Sequence, residues 1–484
     1  MKEFKGLFRQ SSVYFGGSIL HSLAGLISFP LWTRALTPSE YGTYSLLNIS
    51  VFFLAAFSKS GLQHSAIRYF SEFATKKRAE SIASFYTTHI AGTVVSSLIL
   101  NAIFILVVSF SSAMFDGVES LPLLVGLVCL LALVDSLMSI LHAFMRVEQR
   151  AKQYTGWGFV ERYLGIGLSV LLLLVFDWGL VGLIAGQLIS SSFVVTVLLS
   201  RLVLNGHLNL RSVSTTYLKD ALKYGAPMIP VESSRLVLEL GDRYLIQFFM
   251  GAAAVGLYSV GYNITTYIRQ FVAMPLNRAI APVYLDMWEK RGADETKKFL
   301  EVLLQYYLMV AIPLIFTISY FSEDIIRILA SAKYVEVASI VPLIIAPVIL
   351  YGANGIFSAG LIIHKKTKTM MYAALSSALL NVALNLLLIP TMGLKGAALA
   401  TMFSYSVLIL TLAHYSFKLL PLSINSFVIA GYVAAAFVMF GFFRFFEWQT
   451  LFGLALRVAG GLGIYAICLT VVDSRIRKKV IALF

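Results

Sequence analysis

The sequence predicts an all-α integral membrane protein of about 14 transmembrane helices, arranged as two pseudo-symmetric six-helix lobes plus two C-terminal helices. Three observations predict it: an apolar composition, a one-sided distribution of Lys and Arg, and an internal repeat at fixed spacing. The 484 residues are 58% hydrophobic and only 13% charged, whereas soluble domains carry about 25% charged residues. A soluble fold has nowhere to hide that much apolar surface. In a bilayer the lipid is the solvent for it.

Apolar stretches long enough to cross fall at 11–33, 41–60, 81–110, 120–142, 156–176, 178–200 and 221–248. They continue at 254–277, 299–320, 337–363, 369–389, 395–416, 423–446 and 451–472. Each has the roughly 20 residues that a membrane helix needs. The first, near Ser11–Leu31, is too long for the apolar core of a secretory signal and lacks a cleavage site, so it reads as the first span.

Loop charge tests the count. One set of loops is short and poor in base, holding Arg34, Arg243, Arg327, Lys333 and Lys395, with acids such as Asp116, Glu119, Asp177, Glu323 and Asp324. The other set collects Lys2, Lys5 and Arg9, then Lys76-Lys77-Arg78, Arg146/Arg150/Lys152 and Arg201/Arg211/Lys219/Lys223. It continues with Lys290/Arg291/Lys297/Lys298, Lys365/Lys366/Lys368 and the tail Arg475/Arg477/Lys478/Lys479. Cytoplasmic loops retain Lys and Arg, and one missed span would scramble the pattern. Both termini are therefore expected on the cytoplasmic side. The same spread of base over many short loops explains the net charge of +14 as topology rather than as a nucleic-acid surface.

The repeat comes next. Tyr41-Gly42-Thr43-Tyr44-Ser45 matches Val255-Gly256-Leu257-Tyr258-Ser259, and Gly179-Leu180-Val181-Gly182 matches Gly393-Leu394-Lys395-Gly396 at the same offset. Between them, Arg150-Ala151-Lys152 falls on His364-Lys365-Lys366. A repeat of six spans keeps its orientation, so the halves are parallel copies about an axis along the membrane normal. The expected divisions are 1–218 (helices 1–6), 219–420 (helices 7–12) and 421–484 (helices 13–14 with a basic tail). Two lobes around a central cavity suit alternating access.

No catalytic signature appears: there is no GxxxxGK[ST], HExxH or GxSxG, and no acidic metal cluster on a long loop. Cys129 and Cys468 lie in apolar stretches and form no metal-ligand spacing. The chain reads as a non-enzyme without a bound cofactor or metal. What remains is charge at membrane depth, which is costly and usually faces a bundle interior or a cavity. Glu232, Arg235, Glu239 and Asp242 are spaced 3, 4 and 3 apart, which places them on one face of a regular helix. They form either a cavity stripe touching substrate or a coupling cation, or a ladder of ion pairs fixing span 7. Asp242 with Arg243 reads as an ion pair near the outer end. Arg269 sits mid-span with no acid in its own helix, which favours an aqueous cavity. Lys59 lies near the inner end of span 2, where snorkelling competes with a cavity position. Asp135 and His21 read as intramembrane hydrogen-bonding groups, and Arg444 and Arg457 as interfacial.

The stretch from Phe29-Pro30-Leu31-Trp32-Thr33-Arg34-Ala35-Leu36 through Thr37-Pro38-Ser39-Glu40-Tyr41-Gly42-Thr43-Tyr44 resembles the opening of Wzx-type polysaccharide flippases. These belong to the polysaccharide transport branch of the multidrug/oligosaccharidyl-lipid/polysaccharide (MOP) superfamily. Ser60-Gly61-Leu62, Arg68-Tyr69-Phe70-Ser71-Glu72 and Gly241-Asp242-Arg243-Tyr244 fit the same resemblance. It implies translocation of a polyprenyl-pyrophosphate-linked oligosaccharide from the cytoplasmic to the outer leaflet of the bacterial inner membrane. The pathway would be that of a surface polysaccharide such as O-antigen of lipopolysaccharide, capsule or exopolysaccharide. It implies the role of cavity cation for Lys59, Arg235 and Arg269, and leaves Glu232, Glu239 and Asp242 as coupling or ion-pair residues. A proton or sodium gradient is the expected energy source. Pathway glycosyltransferases and a polymerase are the expected protein partners, and a two-lobed transporter can work as a monomer. The rival readings are a lipid II flippase, a gradient-driven multidrug exporter and a membrane-embedded glycosyltransferase, the last lacking the large outer loop it would need.

Overall fold

A computed structural model describes residues 2–59, 61–75, 81–110, 120–445 and 451–472. All regular structure among them is helical. The first run is α1 (Lys2–Ala35), α2 (Pro38–Ser58), the short α3 (Leu62–Ala74), α4 (Ile82–Phe110), α5 (Leu121–Val147), α6 (Ala151–Val170) and α7 (Gly179–Leu204). An amphipathic α8 (Thr215–Gly225) precedes α9 (Ile229–Leu236) and α10 (Asp242–Met250), which are joined by a π-helical turn over Val237–Gly241. Then follow α11 (Ala252–Arg291), α12 (Ala293–Tyr320), α13 (Ser322–Leu329), α14 (Val341–Tyr351), α15 (Asn354–Phe357) and α16 (Ala359–Ile363). The chain closes with α17 (Thr367–Met392), α18 (Leu394–Leu419), α19 (Ser426–Phe445) and α20 (Leu451–Val472).

Eleven helical runs among the described residues are long and apolar enough to cross a membrane. Helix α1, the segmented α9–α10 run and the 40-residue α11 bring the total to the expected fourteen or so spans. The lengths follow from the bilayer: α4 and α5, with 29 and 27 residues, exceed the roughly 20 needed and leave turns for the interfaces.

Two compact units divide the chain, Met1–Ser259 and Val260–Phe484. In the first, α1 packs on α6, α2 on α4 and α5, and α7 on both α5 and α6. One apolar cluster joins Leu62 and Phe73 of α3 to Phe85, Phe144 and Tyr217. A second joins Leu47 and Val51 of α2 to Leu124, Val128 and Ile184. In the second unit, α17 pairs with α18, α14 packs on α18 and α12, and the last two helices attach through α19 to α12.

The start of α2 explains part of the sequence motif noted above. Thr37 caps the helix, Pro38 takes its first turn, and Glu40 reaches back to the Thr37 N–H at 2.8 Å while the Glu40 N–H donates to Thr37 Oγ1 at 3.3 Å. This is a reciprocal capping box, with Pro at a position whose N–H would have no helical partner. One turn on, Gly42 meets the start of α11. A Cβ on Gly42 would lie 1.8 Å from the Ala252 carbonyl oxygen, and one on Gly256 would lie 2.0 Å from the Pro38 carbonyl oxygen. These contacts are reciprocal, because Ala252 and Gly256 stand 214 residues beyond Pro38 and Gly42. Ser45 and Ser259, also 214 apart, share a hydrogen bond of 2.8 Å. Two copies of one motif thus touch each other through matching atoms, as self-complementary contacts about a two-fold axis do.

The repeat also shows in each unit separately. Gly179 opens α7 and Gly393 precedes α18, with φ of +56° and +59°, a left-handed conformation that Gly adopts without a Cβ penalty. Between these fixed points the register slips. Gln149 and Lys365 share a positive φ, and Arg150 N–H to Met145 O is repeated by Lys366 N–H to Leu361 O, both at 2.8 Å. Geometry therefore pairs Arg150 with Lys366, two residues away from the ungapped alignment. The π-helical turn Leu171–Val175 at the end of α6 takes up extra chain in the first copy, and the offset returns at Gly179.

Several charges of the loop-charge argument lie outside the described residues: Lys76, Lys77, Arg78, Asp116, Glu119 and the tail from Arg475 to Lys479. The side chains of Lys2, Lys5 and Arg9 do too. Cys129 and Cys468 are both free.

Candidate functional site

The polar interior of the first unit is organised around Glu232. Helix α2 ends at Ser58, and Lys59 caps it with helical φ and ψ. The chain then bends through Gly61 into α3, whose first turn presents Gln63 and His64. Gln63 Nε2 donates to Glu232 Oε1 at 2.8 Å, and His64 Nε2 lies 3.0 Å from the same oxygen. Both side chains of the His64–Glu232 pair are about one-third exposed, so the group is reachable from water or lipid rather than sealed. Close backbone approach of Gly61 to Gly225 holds α3 against the end of α8 and fixes where α9 begins.

Lys59 brings the remaining charge. Its electrostatic neighbours are Glu232, Arg146, Arg235 and Asp135. Glu232 in turn feels Lys59, His64 and Arg235. Lys59 at the end of α2, His64 of α3 and Arg235 of α9 therefore meet at Glu232, while Arg146 of α5 and the Asp135 carboxylate lie beside Lys59. Opposite charges at such spacing offset part of the cost of desolvation. Glu232, Asp135 and the Glu239 partner of Arg235 balance these cations, and an anion that takes the place of a carboxylate would find in Arg a bidentate fork for phosphate oxygens.

A second polar group adjoins the first through Asp135. On α6, Glu161 accepts from Ser191 Oγ at 3.0 Å, and its backbone carbonyl accepts from Ser190 Oγ at 2.7 Å. Asp135 shares the Ser191 hydroxyl and has Glu161, Arg162 and Lys59 as charged neighbours. Farther along, Gln187 Nε2 donates to Tyr44 Oη at 2.9 Å. The helices approach closely here because the contact positions are small: a Cβ on Gly186 would lie 2.4 Å from the Ser169 nitrogen, the small-residue packing that membrane helices favour.

The span-7 stripe is split rather than continuous. Glu232 turns to α3. Arg235 pairs with Glu239 at 3.3 Å, with the arginine largely exposed. Asp242 is fully buried: Arg243 Nη1 donates to its Oδ1 at 2.7 Å and Tyr258 Oη to its Oδ2 at 2.6 Å. The Arg243 guanidinium also covers the Tyr258 ring at 5.3 Å and donates to the Glu239 backbone carbonyl. The spacing of 3, 4 and 3 puts four residues on one face only if the helix is regular. The π turn at Val237–Gly241 adds a residue per turn and rotates Asp242 away from Glu232.

Arg269 is in the second unit, on α11, where it is a neighbour of Tyr307. Arg457 is tied down by Tyr320 Oη at 3.1 Å, by the Phe443 carbonyl and by two ring faces. Arg444 covers the Phe440 ring at 5.8 Å. His21 and Arg146 are electrostatic neighbours of His142. The structure thus brings Lys59, Glu232 and Arg235 together and keeps Asp242 in a separate buried pair. Gln63, His64, Glu161 and Ser191 were missed by the sequence reading. The available signal for the first two was the polar run Gln63-His64 directly after the end of span 2, since polar residues beside a span face an interior more often than lipid.

The family model described as "Polysaccharide biosynthesis protein" matches residues 31–339. A membrane protein of Methanocaldococcus jannaschii is 25% identical over 198 residues, covering 40% of this chain and 38% of that protein. The probable low-salt glycan biosynthesis flippase of Haloferax volcanii is 23% identical over 217 residues, covering 43% of this chain and 46% of that one. The chain spans under half the length of each of these two relatives. Among solved structures, the lipid II flippase MurJ in an inward closed conformation aligns with a TM-score of 0.76 at 17% identity, over 96% of this chain and 98% of that one. An inward-facing multidrug MATE transporter of the MOP superfamily aligns with a TM-score of 0.64 at 15% identity, over 83% and 94%. At these identities the likeness is one of fold.

Proposed function

Because the chain belongs to the polysaccharide biosynthesis protein family, whose fold here is that of flippases and transporters, we propose that it moves a lipid-linked glycan across the membrane. The finer reading is a polyprenyl-pyrophosphate-linked oligosaccharide carried by alternating access, for a surface polysaccharide such as O-antigen, capsule or exopolysaccharide. The observation that supports it most is the set of basic groups that meet at Glu232: Lys59 and Arg235, joined by His64, with Arg146 beside Lys59. A charged glycan head cannot cross hydrocarbon unaided, and cations at membrane depth give its pyrophosphate a polar resting place. Lys59 and Arg235 are the proposed cavity cations of the first unit, and Arg269 is the proposed cavity cation of the second. Glu232 supplies the counter-charge while cargo is absent. Glu232 or Glu239 is the coupling residue if a proton or sodium gradient drives the cycle, and Asp242 stays structural.

The membrane is the cytoplasmic one, with both termini inside, the repeats forming lobes at 1–218 and 219–420, and 421–484 appended. Pathway glycosyltransferases and a polymerase are the proposed partners of a monomeric transporter. The test is deletion of the gene in its host, with mass spectrometry of lipid-linked oligosaccharides and a surface-polysaccharide assay. Accumulation of one complete repeat unit on its carrier, loss of the polymer, and rescue by the parent but not by Arg235→Ala or Arg269→Ala are expected. Accumulation of lipid II instead would move the cargo to the cell wall. Normal polymer after removal of redundant flippases would overturn the reading and favour drug export.

A further inference from the structure

Away from the Glu232 cluster, the first unit holds a cavity of about 310 Å³ where α5 hands over to α6 and α7 runs out. Its floor is apolar, with Leu141 and Phe144 from α5 and Leu198 and Leu202 from α7. Its rim is polar and basic, with Arg150, Arg201 and His207 opposite a single acid, Glu148. That acid is already engaged: Arg150 Nε lies 2.7 Å from Glu148 Oε2, and Tyr86 Oη donates to Oε1. His207 is stacked on the Tyr86 ring at 5.1 Å. Arg201 has no carboxylate partner among the described residues. Its guanidinium instead lies over the Trp157 ring at 5.0 Å, which fixes it without neutralising it.

The surroundings indicate a lipid surface. Beyond the rim, Val203, Leu204 and Leu210 are 57%, 85% and 87% exposed. Trp157 beside Arg201 is the residue pair expected at a membrane–water interface. Lys152 at the start of α6 and Arg211 in the turn after α7 lie close by in the chain, a basic side of the kind that faces the anionic leaflet.

We propose that this cavity binds the phosphate headgroup of an anionic phospholipid. Arg201 takes the phosphodiester, Arg150 and His207 assist it, and the acyl chains lie along the exposed apolar flank of α7. Fork-shaped guanidinium donors match phosphate oxygens in pairs, and basic pockets between membrane helices are suited to such headgroups. A soluble phosphate would gain nothing from the apolar floor or from Leu204. The site is independent of the translocated cargo and stands whether or not the flippase reading does.

The test uses the full chain in zwitterionic detergent with equimolar phosphatidylglycerol and phosphatidylcholine, with bound lipid read by native mass spectrometry. The parent is expected to retain phosphatidylglycerol over phosphatidylcholine by about fivefold to tenfold, the effect of roughly one basic contact to an anionic headgroup. Arg201→Ala, alone and with Arg150→Ala, brings that ratio toward one. Lys152→Ala, a charge-matched change outside the cavity, leaves it as in the parent. Millimolar inorganic phosphate does not displace the lipid. Equal retention of both lipids by the parent overturns the proposal without reference to any variant. So does an unchanged ratio in Arg201→Ala, or in Arg201→Gln should the alanine variant not fold. Displacement by inorganic phosphate makes the site one for a free anion and overturns the lipid assignment.

Discussion

The contact between α2 and α11 can be tested by adding a single methyl group. In Gly42→Ala the new Cβ would stand 1.8 Å from the Ala252 carbonyl oxygen and 2.8 Å from the Gly256 nitrogen. An ordinary contact begins near 3.4 Å, so the two helix ends must part by about 1.6 Å to accommodate it. The atoms met are backbone on both sides, held by a capped helix start, and no rotamer change relieves them. Overpacking typically costs 1–3 kcal/mol, and this geometry belongs at about 3 kcal/mol. The separation also breaks the Ser45–Ser259 hydrogen bond one turn on, worth about 0.6 kcal/mol between membrane helices. Stability should fall by about 3–4 kcal/mol, a shift of more than a hundredfold in the unfolding equilibrium. The assay is unfolding in mixed micelles with rising sodium dodecyl sulfate, read by tryptophan fluorescence. Because the contact is reciprocal, Gly256→Ala should lose a similar amount. Gly126→Ala, where a Cβ meets nothing within 4 Å, should be neutral or gain up to about 1 kcal/mol from helix propensity. A Gly42→Ala variant within about 0.5 kcal/mol of the parent would refute the close-approach argument.

Three other expectations are sharp enough to check. Asp242→Ala leaves the buried Arg243 without its carboxylate and should destabilise by about 3–5 kcal/mol, seen as loss of folded protein on size exclusion; a fully folded variant with parental melting temperature would contradict the buried pair. Glu232→Gln removes a negative charge beside Lys59 and Arg235, so pyrophosphate should bind the purified chain several-fold tighter, with about 1 kcal/mol or less lost in stability; weaker binding by calorimetry would show that Glu232 helps to hold the anion instead. Gly179→Ala and Gly393→Ala each place a Cβ on a left-handed residue and should cost roughly 1 kcal/mol apiece, measurable in the same unfolding assay; no loss at either position would show that these turns relax freely.

Much of the fold was legible because lipid imposes it one residue at a time. Span lengths, the sidedness of base and the two copies of the Tyr-Ser motif are linear properties of the chain, and the bilayer acts on each of them locally. The capping box at Thr37-Pro38-Ser39-Glu40 is equally local, closing within one helical turn. The site was legible only in part. Lys59 and Arg235 stood out because charge is rare at depth, yet nothing in the order of residues says that Gln63 and His64 meet Glu232 across 169 and 168 positions. Likewise, regular spacing cannot reveal the π turn that separates Asp242 from Glu232, since a spacing argument assumes an unbroken α-helix. The sequence by itself determined that this chain crosses a membrane many times and carries a repeat, because hydropathy and loop charge are summed along the backbone. Only the tertiary structure decided which buried charges are paired for stability and which surround Glu232, because pairing depends on distances of a few ångströms between helices far apart in the chain.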